Sequence, residues 1–168
     1  MTDASKPGEV AAALRFRNAG VGAESPHAPI LKTLLAYWHS KCPPDGRLPG
    51  RADIDPLELR GLLPNIYLVD VLAEGKFRIR LLGEAQVAVY GPGLVGRLID
   101  DIFPPEPAAE FNRLYSAVVR RRAPVINRGQ VTWWNNREWM RYEGLHAPLA
   151  ADGVTIDTIF GAGTFEDG

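Results

Sequence analysis

At 168 residues, with 46% apolar and 23% charged residues, the chain has the composition of one globular domain with one core. Its formal net charge of −1 gives no electrostatic reason to bind nucleic acid or an anionic membrane. Cys42 has no partner for an internal disulfide, no apolar run approaches the ~20 residues of a spanning helix, and the polar start lacks a secretion signal; a soluble, cytoplasmic protein is expected.

Residues 1–26 are small and polar and read as a flexible tail, with a short helix conceivable at Ala11 to Arg17, ahead of a domain spanning residues 27–168. Ile30, Leu31, Leu34, Leu35 and Trp38 trace one face of a helix from Pro29 to Cys42, which Pro43 and Pro44 stop. Asp55, Pro56 and Glu58 are placed to cap a second, short helix ended by Pro64. Asn65 to Leu72 and Lys76 to Leu82 read as two strands of a hairpin joined by Ala73, Glu74 and Gly75. Glu84 to Tyr90 is a short helix closed by Gly91, and Leu98 to Phe103 is another. Phe111, Leu114, Tyr115 and Val118 mark a longer helix over Ala108 to Arg121, whose basic end suits the negative end of the helix dipole. The pattern then turns to strands at Val125 to Trp134, Arg137 to Leu149 and Thr155 to Phe165, with turns at Asn135-Asn136 and Asp152-Gly153. The sum is an α+β domain built on five antiparallel strands.

Chemistry-bearing clusters are scarce. His27, His39 and His146 are far apart and Cys42 stands alone, so no metal site is expected; a haem on His146 gives way to a packing role for that residue. There is no phosphate-binding loop and no serine in a nucleophile-elbow context. Trp133, Trp134, Trp139 and Tyr142 crowd the Asn135-Asn136 turn, where they could stack a ligand, grip a partner or simply pack across strands. Glu143 shares a strand face with Leu145, Ala147 and Leu149 and needs a cation, for which Arg80 is the candidate, ahead of Arg78 and Arg141.

The order of elements resembles the PAS_5 family of standalone PAS-like bacterial proteins. The resemblance is carried by the Trp38 helix, Arg51 to Pro56, Leu62-Leu63-Pro64, Leu68 to Asp70, Phe77 to Gly83, and Gly91 with Gly96. It continues through Arg141-Tyr142-Glu143, Pro148-Leu149, Asp152-Gly153 and Gly161. It implies a PAS-like five-stranded antiparallel sheet with helices on one face, an extra N-terminal helix, and a role in signal transduction without catalysis. Gly144, where the family carries a bulkier residue, falls where it could shape a pocket. The expected pocket lies between the sheet and the helical middle, with Phe77, Ile79, Arg80, Tyr90, Glu143 and Leu145 as ligand-binding candidates and no cofactor assigned. The stripe of Leu31, Leu34, Leu35 and Trp38 is expected to join two copies in a homodimer. Two other readings are a ligand-free interaction adaptor and a small acid–base enzyme using Glu84, Glu143 and His146.

Overall fold

A computed structural model describes residues 8–12, 14–22, 25–133 and 139–167. After a single helical turn, α1 (Glu9–Ala12), come β1 (Leu14–Gly22) and α2 (Pro29–Lys41). The hairpin β2 (Ile66–Val71) and β3 (Phe77–Leu82) turns through Glu74 and Gly75, both in the left-handed region at φ 61° and 68°. The helical middle is α3 (Glu84–Tyr90), α4 (Ile99–Ile102) and α5 (Pro105–Arg121), and the chain finishes with β4 (Val125–Trp133), β5 (Trp139–Leu149) and β6 (Thr158–Asp167). Helix α5 begins before Ala108 because Pro105 fits the first helical turn, where its missing N–H is no loss.

All five expected strands are present and pair antiparallel. A sixth joins them, giving the order β1-β4-β5-β6-β2-β3. The sequence reading placed β1 in a flexible tail; instead Leu14 to Gly22 pairs with β4, from Leu14 opposite Trp133 to Gly22 opposite Ile126. Its start, Leu-Arg-Phe-Arg, alternates as a strand does, and pairing it covers backbone groups that β4 would otherwise leave open at an edge. The short helix expected after Asp55 is a run of turns, with Glu58 N–H bonded to Asp55 and Leu59 N–H to Pro56. Asp55 does cap, accepting from Leu57 N–H at 2.9 Å, but so few residues between two prolines are too short to propagate an α-helix.

The sheet is covered on both faces. Side chains alternate, so Tyr67, Val69, Phe77, Ile79 and Ile159 face α3, α4 and α5, whereas Leu68, Leu145, Ala147, Leu149 and Phe160 face α2. Leu31, Leu34 and Trp38 are buried in that second core, and the Trp38 indole N–H donates to the Pro148 carbonyl at 2.9 Å. The stripe expected to join two copies is therefore covered within one chain; Leu35 alone of the four is half-buried. Leu34→Ala should cost about 3 kcal/mol of stability in chemical denaturation, the usual result of a cavity in a closed core. An unchanged midpoint would show that α2 is not docked on the sheet.

Candidate functional site

The inner face of the sheet carries two transverse rows that shape a cavity. In one, Val125, His146, Gly161 and Tyr67 stand side by side across β4, β5, β6 and β2. In the next, Asn127, Gly144 and Gly163 lie opposite one another. The glycines let the neighbouring side chains reach over them. A Cβ at Gly161 would sit 2.5 Å from the Tyr67 hydroxyl and from the Leu145 carbonyl; one at Gly144 would sit 2.5 Å from Asn127 Oδ1 and 2.7 Å from His146 Nε2. Space vacated by backbone thus admits a Tyr–His–Asn chain in mid-sheet.

That chain fixes its own protons. His146 Nε2 faces Asn127 Oδ1 at 2.6 Å, and since a carboxamide oxygen only accepts, Nε2 carries the hydrogen. Nδ1 is then the acceptor and takes the Tyr67 hydroxyl proton. Both imidazole nitrogens are committed, which leaves neither as a haem ligand in this arrangement. Asn127 continues the chain to Tyr142, and Tyr115 is hydrogen-bonded to Tyr67. Burial pushes the His146 imidazole down to about 3, so it stays neutral at ordinary pH, and pushes the Tyr142 phenol up to about 12 against the opposing Asn127 hydrogen bond. Burial likewise raises Tyr67 and Tyr115.

Next to this chain the described residues line a cavity of about 60 Å³ between sheet and helices. Val69, Ile79, Ile99 and Leu114 supply aliphatic wall, while Tyr90, Phe103, Phe111 and Phe165 close one end with rings 4.6–6.1 Å apart.

A PAS-domain family model, PAS_5, matches residues 27–164. The chain belongs to the PAS_5 family of PAS domains. No curated protein and no solved structure matches it.

Of the residues expected around a pocket of this PAS domain, Ile79, Tyr90 and Glu143 border the cavity. Phe77 packs in the same core against Tyr115, with ring centroids 5.3 Å apart, but does not reach the cavity. Leu145 belongs to the opposite core, under α2. Grouping Glu143 with Leu145, Ala147 and Leu149 gives the right strand face, which looks toward α2, although Glu143 itself also borders the cavity.

The expected Arg80–Glu143 pair does not form. Glu143 lies on β5 directly opposite Arg128 of β4, whose Nε donates to its carboxylate at 2.6 Å, and the His27 and Ala28 amides before α2 donate at 3.0 and 2.8 Å. Burial pushes the Glu143 carboxyl up, but those two amides and Arg128 outweigh it and hold the group below its ordinary range. Arg80, at the far edge of the sheet, donates instead to Asp70 at 2.7 Å, as Arg78 does at 3.0 Å. With β6 and β2 between their strands, Arg80 and Glu143 are out of reach.

The residues proposed for acid–base chemistry also separate: Glu84 is exposed at the start of α3, the Glu143 carboxylate is engaged on the α2 side, and His146 is buried on the other. Among the described residues no group of His, Cys, Asp and Glu could hold a metal ion. Of the aromatic cluster, Tyr142 lines the cavity and Trp139 is partly exposed; the Trp133 side chain, Trp134 and the Asn135-Asn136 turn lie outside the described residues. Tyr67, Asn127 and Gly163 escaped sequence reading, whereas Gly144, expected to shape a pocket, borders the cavity. Gly161 and Gly163 in a strand were a usable signal of close approach, but not of which ring approaches. Gly161→Ala should cost about 2 kcal/mol or more by driving Tyr67 off His146; a variant melting like the parent would refute that packing.

Proposed function

We propose that this PAS domain is a non-catalytic sensory or regulatory module of bacterial signal transduction whose inner cavity takes a small molecule and whose surface passes the state of that cavity to a protein partner. The carrying observation is the cavity itself, largely apolar but walled on one side by the Tyr67–His146–Asn127–Tyr142 chain. An apolar space with few convergent polar groups is the usual form of a small-molecule site. A non-catalytic role is supported by the commitment of Glu143 to Arg128 and of both His146 nitrogens to Tyr67 and Asn127, with Glu84 exposed. Across the sheet, an open groove of about 670 Å³, lined in part by Pro29, Arg128, Arg141 and Glu166, is the surface offered to the partner. The proposal includes a cytoplasmic location; among the described residues no helix is long and apolar enough to cross a membrane. It also keeps a homodimer, now assigned to the half-buried Leu35 flank of α2, and a single-chain mass by light scattering would remove that part.

Native mass spectrometry of the purified chain should show an added small mass that denaturation releases. Its absence, together with no thermal stabilisation by any member of a fragment library, would favour the adaptor reading, for which the modest size of the cavity is the specific support.

A further inference from the structure

Resting on the sensory reading of the inner cavity, we propose that its ligand is a compact, uncharged molecule bearing a hydroxyl group, bound with its polar end toward Asn127 and its apolar end against the Tyr90–Phe111–Phe165 rings.

Size comes first. About 60 Å³ lies far below the roughly 300–1,000 Å³ of sites for drug-sized ligands, so a flavin, a haem or a nucleotide has no room without rebuilding the helices. Charge comes second. Among the described residues no lysine or arginine lines the cavity. Of the two acidic residues that border it, Glu110 is paired with Arg113 along α5, and the Glu143 carboxylate is held by Arg128. The His146 imidazole is neutral and both its nitrogens are taken. A charged ligand would leave water with no opposite charge to meet, a large and uncompensated loss.

Polarity comes third. Asn127 Oδ1 accepts one hydrogen bond from His146, and a carboxamide oxygen can accept two. A ligand hydroxyl can meet Asn127 or the Tyr142 hydroxyl hydrogen-bonded to it, whereas a pure hydrocarbon would leave the polar end unmatched. The rings of Tyr90, Phe111 and Phe165 on the same wall offer faces and edges to an alkyl group.

The experiment titrates the full-length chain with n-butanol, butyrate and n-butylammonium, following backbone amide shifts by two-dimensional NMR. Saturable shifts at Gly144, Gly163 and Val69 are expected with butanol, and affinity at least tenfold weaker for both ions. Leu114→Phe, and the milder Val69→Ile should the first fail to fold, should abolish the butanol shifts by filling the space. Butyrate or butylammonium binding within threefold of butanol, with shifts at the same amides, would overturn the charge inference and leave the sensory reading standing. No saturable shift with any of the three probes, combined with no co-purifying small mass, would bring down the sensory reading and this inference with it.

Discussion

Lowering the pH from 6.5 to 5 should destabilise the domain by roughly 2 kcal/mol through His146 alone. In the unfolded chain an imidazole takes up a proton below about 6.5. In the folded domain burial holds His146 neutral down to about 3. Between those limits the unfolded state binds the extra proton, so stability is complete above 6.5 and falls as pH drops, by about 1.4 kcal/mol per unit once well below it. Denaturant melts from pH 5 to 8 measure the slope. In His146→Gln, which keeps polar atoms near Tyr67 and Asn127 but cannot titrate here, the slope between pH 6.5 and 5 should flatten. His27 and His39 are both exposed. An equal slope in the variant and the parent would mean that His146 is not held neutral by the fold.

Glu143→Leu should cost about 3 kcal/mol, because it strands a partly buried guanidinium and two backbone donors at once. For a domain of this size that corresponds to a loss of roughly 6–12 °C in melting temperature. Adding Arg128→Leu should restore part of the loss by removing the unpaired charge; adding Arg80→Leu should restore none, because Arg80 is bound to Asp70. Rescue by the Arg80 change, or a single mutant that melts like the parent, would contradict the observed pairing. The cycle also reports on how α2 is anchored, since Glu143 receives the amides of His27 and Ala28 at its start.

These two residues show how the site divides between what local patterning specifies and what folding assembles. The requirement that Glu143 find a cation follows from its place on an apolar strand face, and any reading of the chain meets it. Which cation it finds depends on strand order, and β4 rather than β3 lies beside β5. His146 is similar. Its position within a strand suggests packing, but its neutrality comes from burial, and the Tyr67 and Asn127 that hold its two nitrogens are brought beside it by the register of three other strands.

The sequence by itself determined the helical stripe of α2, the β2–β3 hairpin, α3 with its Gly91 stop, the core of α5 and the strand character of the last third. All of these rest on periodicity, capping and turn chemistry, which act within a few residues. Tertiary structure alone decided that Leu14 to Gly22 becomes a sixth strand, that α2 closes over the Leu145 face, and that glycines on β5 and β6 make room for Tyr67 and Asn127. Those outcomes depend on which strands lie side by side and which face each presents. A one-residue change of register would invert every side chain, and nothing local records that choice.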